Sequence, residues 1–155
     1  MYEIHLYAPK IGRLTPAMLA WLYQYGGDAM QPEGFYPVRK IQPKALARLL
    51  LKLDPTLIPS AGEGATVQLR YPHPALDISL LVHERGVIIR FPYAGSILAR
   101  IILGICYTYI RFLYDAGGFW SYDPQLRVLS YADDFQSIDE TARLMDELMP
   151  RLLSE

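Results

Sequence analysis

The stretch LDISLLVHERGVIIRFPY, residues 76–93, holds two runs of alternating apolar residues on either side of the polar residues 84–86. Such a pattern, broken at a glycine, predicts a β-hairpin. The apolar sides of the two arms oppose each other only if an even number of residues forms the loop, so we predict two or four. The opposite side then brings Ser79 near Arg90. The apolar side consists of Leu76, Ile78, Leu80, Val82, Val87, Ile89 and Phe91.

The segments on both sides of this hairpin alternate between helical and strand patterns. Further strands are predicted at residues 2–7, 66–72, 118–122 and 126–131. Helices are predicted at residues 16–25, 43–54, 96–115 and 137–153. With the hairpin, they predict an α+β fold: a single antiparallel or mixed sheet of about five to six strands with helices packed on it. We predict one domain over residues 1–155, with the loop at 55–64 as the only place for a subdomain boundary.

Composition and charge restrict the class of protein. The chain has 155 residues, of which 15 are basic and 16 acidic, and its net charge of -1 disfavours nucleic acid or an anionic membrane as a partner. An apolar fraction of 52% is typical of a folded globular protein. A single cysteine, and no secretory signal pattern in the opening residues MYEIHLYAPK, predict a cytoplasmic location.

The longest apolar segment, SILARIILGICYTYIRFLYDAGG at residues 96–118, has the composition of either a membrane span or a packed helix. A span needs about 20 mostly apolar residues. Arg100 and Arg111 interrupt the run, so we predict a buried or amphipathic helix and no membrane span. We expect Ser96 to cap its start and Gly117 its end. The predicted core face comprises Ile97, Leu98, Ile101, Ile102, Ile105, Tyr109, Phe112 and Leu113.

No motif in the sequence matches a known arrangement for catalysis. There is no phosphate-binding loop, no GxSxG nucleophile turn and no HExxH metal motif. His5, His73 and His83 are not at metal-ligand spacing, and we interpret each as a strand or loop residue with a local hydrogen bond. Cys106, in the middle of the apolar helix, is predicted to be inert core. We therefore predict no metal and no cofactor, and we favour a protein that is not an enzyme.

Two groups of residues are candidate binding surfaces. One lies on the helix side opposite its predicted core face, where arginines and tyrosines could bind a carboxylate-bearing partner; the alternative is an ordinary solvated face. The other is aromatic. Consecutive Phe119 and Trp120 must point to opposite faces of a strand, so we expect Phe119 in the core and Trp120 outward or under another element. The candidate binding residues are Trp120, Tyr122, Arg100, Tyr107, Arg111, Tyr114, Tyr36 and Arg39.

A Tyr-Asp-Pro-Gln turn at residues 122–125 follows the hairpin and the long helix, and its aspartate is expected to accept hydrogen bonds from its own turn. In this arrangement residues 77–131 resemble a group of small stand-alone bacterial proteins of uncharacterised function. Some of these are similar to immunity-type proteins encoded beside toxins. The resemblance carries no catalytic residue. Our leading hypothesis is a cytoplasmic, non-enzymatic protein that binds another protein, as an immunity-like antagonist would.

A second function class stays open at this point. The chain could be a small-molecule-binding protein or an enzyme with a pocket between the sheet and the loop at 26–43. A concave cavity containing His5, Arg39 or Asp77 would favour this alternative, whereas a flat aromatic patch would favour protein binding. Self-association through the Arg100–Tyr114 face is compatible with either.

Overall fold

The computed structural model describes residues 1–26, 31–130, 142–145 and 147. In chain order the elements are β1 (Tyr2–Tyr7), α1 (Pro16–Tyr25), a short 3-10 turn (Glu33–Phe35), α2 (Pro43–Leu53), β2 (Ile58–Ala61), β3 (Val67–Arg70), β4 (Ser79–His83), β5 (Gly86–Phe91), α3 (Ser96–Gly117), β6 (Trp120–Asp123) and β7 (Val128–Ser130). Residues 142–145 and 147 are helical. The start and most of the length of the final helix predicted at 137–153 lie outside the described residues.

All seven of these strands belong to one antiparallel sheet in the order β2-β3-β4-β5-β1-β6-β7. The α+β class and the antiparallel sheet are therefore confirmed, with one strand more than the five to six expected. The additional strand is β2, which lies within the segment at 55–64 that the sequence analysis assigns to a loop. Its four residues are all exposed at the sheet edge, so it lacks the alternating apolar pattern that identifies a strand.

The β4–β5 hairpin turns through two residues, Glu84–Arg85, which is one of the two even loop lengths predicted. The predicted pairing of Ser79 with Arg90 is also confirmed. Gly86 has no room for a side chain, because a Cβ there would lie 2.2 Å from the carbonyl oxygen of Leu6 in the neighbouring β1. The glycine therefore allows the start of β5 to lie directly against β1.

Alternation along the strands gives the sheet two faces. The inner face is covered by α2 and α3 and forms the larger hydrophobic core. The outer face lies against α1 over β1 and β6, and forms a smaller core. Fully buried residues of the larger core include Leu6, Leu50, Leu80, Ile89 and Ile102. Burial of such side chains, at about 1.5–3 kcal/mol each, is the main favourable contribution to this fold.

The turn between β6 and β7 is held by Asp123 and Gln125. The Asp123 carboxylate accepts the backbone N–H groups of Gln125 and Leu126 at 2.9 and 3.0 Å, as expected for this turn, and also accepts the Tyr2 hydroxyl. The Gln125 side chain donates to the carbonyl oxygen of Glu3 at 2.8 Å and accepts its backbone N–H at 3.1 Å. A side-chain amide thus continues the β1–β6 ladder beyond the end of β6.

α3 begins and ends one residue away from the predicted caps. Its N-cap is Gly95 instead of Ser96, and the left-handed residue after its last turn is Gly118, with a φ of 67°, instead of Gly117. Gly117 is required for another reason, because a Cβ there would lie 2.6 Å from the Phe119 ring. That ring is buried in the larger core, as the strand alternation predicts.

Candidate functional site

The outer face of the sheet is covered in part by α1. The helix begins after Thr15, whose hydroxyl accepts the backbone N–H of Met18 at 3.3 Å. Leu19 and Leu22 are buried and pack in the same cluster as Tyr7 of β1. Because one side of α1 is used in this contact, the other side lies at the protein surface.

The exposed side of α1 is a ridge of small and polar residues with aromatic rings on both flanks. The ridge consists of Ala17, Ala20 and Gln24. On one flank the ring of Trp21 lies 5.6 Å from that of Tyr25, measured between centroids. On the other flank the ring of Tyr23 lies 6.1 Å from that of Tyr122 on β6. We call the ridge and these four aromatic residues the α1 aromatic surface.

A chain of hydrogen bonds fixes Tyr23 against the sheet. His5 Nδ1 lies 2.8 Å from the Tyr23 hydroxyl, and His5 Nε2 lies 2.9 Å from the Glu3 carboxylate. The second oxygen of Glu3 accepts from Arg90 Nε at 2.8 Å. Because a carboxylate only accepts, Nε2 of a neutral His5 carries the proton and Nδ1 accepts from the tyrosine. Burial acts to raise the pKa of Glu3, but its hydrogen bonds to His5 and Arg90 outweigh burial and lower it.

The pKa of Tyr23 indicates what this chain of hydrogen bonds does. Burial, with the phenol of Tyr7 beside it, raises that pKa, so the hydroxyl stays protonated at neutral pH. A tyrosine that acts as a base or nucleophile needs a pKa shifted toward neutrality. We therefore interpret the bonds among Glu3, His5 and Tyr23 as a tether that orients α1 on the sheet.

His83 lies on β4, close to the turn of the hairpin. Its Nδ1 accepts the backbone N–H of Arg85 at 3.2 Å, which is the local hydrogen bond expected of a strand histidine. Burial, with a smaller effect of His5, lowers the pKa of His83 from 6.5 to about 4. The imidazole is therefore neutral in the folded protein at neutral pH.

Trp120 and Tyr122 lie on the outer face, where they pair with Tyr7 and His5 of β1. Both are half-buried and pack against the smaller core under α1. Phe119 and Trp120 thus point to opposite faces of the sheet, as predicted, and Trp120 lies under another element. Of the two outer residues, Tyr122 contributes to the α1 aromatic surface through its contact with α1.

Tyr36 and Arg39 occupy different environments, although both were candidates for binding. Tyr36 is buried: its ring lies 5.0 Å from that of Trp21, and the Arg85 guanidinium lies 3.4 Å above its centre. Arg85 also forms a forked pair with Glu33 and lowers the pKa of Glu33 to about 2. Tyr36 therefore supports Trp21 from within the protein, whereas Arg39 is exposed.

The predicted stripe of arginines and tyrosines lies on α3, on the opposite side of the sheet from α1. Arg100 and Arg111 are exposed, and Tyr107 and Tyr114 are half-buried. Arg111 Nε lies 3.0 Å from the carboxylate of Asp115 one turn later. The structure does not bring this stripe together with Trp120 and Tyr122, so the sequence-predicted residues belong to two separate surfaces.

The first turns of α3 differ from the prediction. Ile97, Leu98 and Ile101 were assigned to the core, but they are 80%, 40% and 52% exposed. The residues that α3 buries are Ala99, Ile102, Leu103, Cys106, Tyr109 and Leu113. α3 is apolar around most of its circumference, so periodicity alone does not determine which arc faces the sheet. Cys106 is buried as predicted, and burial raises the pKa of its thiol.

α3 is long and apolar enough to cross a membrane, since an 18-residue window in it has a mean hydropathy of 1.5. Core helices of folded domains, which are mostly buried, can have the same length and composition; 33% of this window is buried within the fold. These properties do not by themselves indicate a span.

A groove of about 1060 Å³ lies between the segment at 40–44 and the β2–β3 hairpin. Its charged residues are Lys40, Lys44 and Glu84. The sequence analysis named three polar residues whose presence in one cavity would favour a small-molecule site: His5, Arg39 and Asp77. None of them lies in the described walls of this groove. Arg39 instead lines a smaller cavity of about 210 Å³.

Comparisons with protein-family models, with curated proteins and with solved structures found no match to this chain. The resemblance of residues 77–131 to immunity-type proteins therefore stays a prediction. Function has to be inferred from the surfaces described above.

Proposed function

We propose that this chain is a cytoplasmic protein-binding module without catalytic activity, and that its partner contacts the α1 aromatic surface. The observation that carries the proposal is the exposure of tyrosine rings on both flanks of the Ala20 ridge, at 53% for Tyr23 and 38% for Tyr25. Tyrosine and tryptophan are enriched at protein interfaces because they offer a large, rigid contact area with a polar tip.

The α1 aromatic surface is held in place before any partner arrives. The Tyr23 hydroxyl is hydrogen-bonded to His5, and the Trp21 ring is held between Tyr25 and Tyr36. Contact residues that are already ordered lose little conformational entropy on binding. The alanines of the ridge leave space between the flanking rings, where the backbone or an apolar side chain of a partner can approach closely.

We further propose that the partner is a protein whose activity the chain blocks, as an immunity-type protein blocks a toxin. Two observations support this class of partner. The sequence carries no catalytic motif, and residues 77–131 resemble small bacterial proteins of which some are immunity-like. Inhibition by binding requires a rigid contact surface and no chemistry. The products of adjacent genes are the first partners to test.

A matched pair of substitutions tests the contact surface. Ala20→Arg puts a long charged side chain on the ridge, and Ala45→Arg makes the same change at an exposed alanine of α2 on the other side of the sheet. With a purified partner, titration calorimetry should show that Ala20→Arg weakens binding at least tenfold, whereas Ala45→Arg binds like the wild type. A tenfold change corresponds to about 1.4 kcal/mol, more than the roughly 1 kcal/mol that most interface residues cost when they are truncated.

Equal binding by both variants would place the partner on another surface. The antagonist proposal has its own test: co-expression with a toxic neighbouring gene product should restore growth with wild type and Ala45→Arg, but not with Ala20→Arg. If the partner binds tightly and its activity is unchanged, the chain is a binding module of another kind.

A second candidate function, small-molecule binding, is favoured by the groove beside β2. Its volume is slightly above the usual range for ligand sites, about 300–1,000 Å³, and the lysines at 40 and 44 suit an acidic ligand. A thermal-shift screen with small carboxylates and phosphates tests it, using Ala61→Trp to fill the groove. A ligand that stabilises the wild type and not Ala61→Trp would support this function, and a screen without stabilisation would exclude these ligand classes.

A further inference from the structure

The exposed side of α3 carries a regularly spaced row of residues that is separate from the α1 aromatic surface. Ile97, Ile101, Gly104 and Thr108 are all exposed and follow one another at spacings of four, three and four residues. Residues with this spacing form a nearly straight line along a helix, as in the seam of a helix pair. We call these four residues the α3 seam. Its first half is large and apolar, and its second half is small.

We propose that the α3 seam binds a second copy of the same chain, with the two helices antiparallel about a two-fold axis. In this arrangement Ile101 lies opposite Gly104 of the second copy, and Ile97 lies opposite its Thr108. Each large residue therefore meets a small one, and the two-fold axis repeats both contacts. Thr108 tolerates such a contact because its hydroxyl already donates to the Gly104 carbonyl oxygen at 3.5 Å.

The residues beside the seam match in the same register. On one side Leu98 lies opposite Ile105 of the second copy, so apolar meets apolar. On the other side Arg100 lies opposite Tyr107, where a guanidinium meets the electron-rich face of a phenol. A parallel pair would instead put the charged Arg100 beside the apolar Ile105 of the second copy and leave a gap where Gly104 meets Gly104. Charge and shape therefore both favour the antiparallel pair.

The expected association is weak and independent of the α1 aromatic surface. Three turns of one helix are a small contact, below the roughly 1,200 Å² that stable complexes bury. A monomer–dimer equilibrium in the micromolar range or above is therefore expected. Because α1 and α3 lie on opposite faces of the sheet, a dimer formed through α3 leaves the α1 aromatic surface accessible.

Cysteine cross-linking tests the register directly. Ile97→Cys and Thr108→Cys are prepared as separate variants, and each is oxidised alone or mixed with the other. In the proposed pair residue 97 faces residue 108, so the mixture should form a disulfide-linked heterodimer. Residue 97 of one copy is then 11 residues, about 16 Å, along the helix from residue 97 of the other copy, and the same holds for residue 108. Neither variant should therefore cross-link to itself. A disulfide needs Cα atoms within about 7 Å, and Cys106 is buried.

Sedimentation equilibrium of the unmodified chain provides a second measurement that does not depend on these variants. The wild type should show an average mass that rises with concentration, and Ile101→Ser should shift the dimerisation constant at least tenfold toward monomer, whereas Ala20→Arg should not. A wild type that stays monomeric, or self-linked dimers of Ile97→Cys, would overturn the proposal. Binding to neutral phospholipid vesicles by a chain that stays monomeric would identify lipid as the occupant, and would also overturn it.

Discussion

The orientation of α3 can be tested with two adjacent residues. Ile101 and Ile102 are chemically identical neighbours, but Ile101 is 52% exposed and Ile102 is completely buried. Truncating a buried isoleucine to alanine removes its transfer free energy and leaves a cavity, which together cost about 2–5 kcal/mol. Exposed substitutions usually change stability by less than about 0.5 kcal/mol, and alanine is the better helix former. We expect Ile102→Ala to be strongly destabilising and Ile101→Ala to be nearly neutral.

Urea denaturation followed by far-ultraviolet circular dichroism measures the difference, with dilute protein so that self-association does not contribute. For a chain of this length, a loss of 2–5 kcal/mol corresponds to a fall in melting temperature of roughly 4–20 °C. The difference between the variants is more reliable than either value, because both change the same atoms in the unfolded chain. Equal losses, or a larger loss for Ile101→Ala, would mean that α3 is rotated by about one residue and that the α3 seam is not exposed.

Three further predictions concern the sheet. Because the pKa of His83 falls from 6.5 to about 4 on folding, the unfolded chain binds a proton that the folded protein does not, and the free energy of unfolding should drop by about 3 kcal/mol between pH 6.5 and 4. Denaturation at a series of pH values should show this decrease for the wild type and not for His83→Gln. If His83→Gln shows the same decrease, other groups cause it. Gly86→Ala should cost about 1–3 kcal/mol in thermal unfolding, since its Cβ would lie 2.2 Å from the carbonyl oxygen of Leu6, and a neutral result would show that the two strands separate easily. Phe119→Ala should cost about 3–5 kcal/mol by denaturant unfolding and Trp120→Ala less, because only the phenylalanine is fully inside the core; the reverse order would exchange the two faces of β6.

Local signals in the sequence determine much of this fold. The hairpin follows from side-chain alternation, because only an even loop places both apolar sides together, and the structure has the two-residue form. The start of α1 follows from Thr15 and the proline after it. The opposite directions of the Phe119 and Trp120 side chains follow from the geometry of an extended strand. Each of these predictions depends on residues that are neighbours in the chain.

Features that depend on contacts between residues far apart in the chain could not be predicted from the sequence. β2 is a strand because β3 supplies its hydrogen bonds, and nothing in its own composition indicates one. α3 is apolar on nearly all sides, so only its packing against the sheet decides that Ile102 is buried and Ile101 is not. Because of this packing, three residues that were expected in the core are exposed: Ile97, Leu98 and Ile101.

The candidate site was only partly predictable for the same reason. Consecutive aromatic residues indicated an aromatic surface, and Trp120 was placed on the correct face. The hydrogen bonds that orient α1 join His5 to Tyr23, 18 residues later, and Glu3 to Arg90, 87 residues later. No spacing rule connects these positions. The single available signal was the placement of charged Glu3 and polar His5 on the same side of a strand.

The position of β1 in the middle of the sheet has a consequence for how the chain is made. β1 is the first of these seven strands to leave the ribosome, yet its two neighbours are β5 and β6. About 80 residues separate it from β5, which at 5–20 residues per second corresponds to roughly 4–16 s of translation. During this time both edges of this strand, which carries the buried Ile4 and Leu6, have no partner. A chaperone that holds extended apolar segments should therefore bind the nascent chain at β1 and release it once Gly86–Phe91 has emerged.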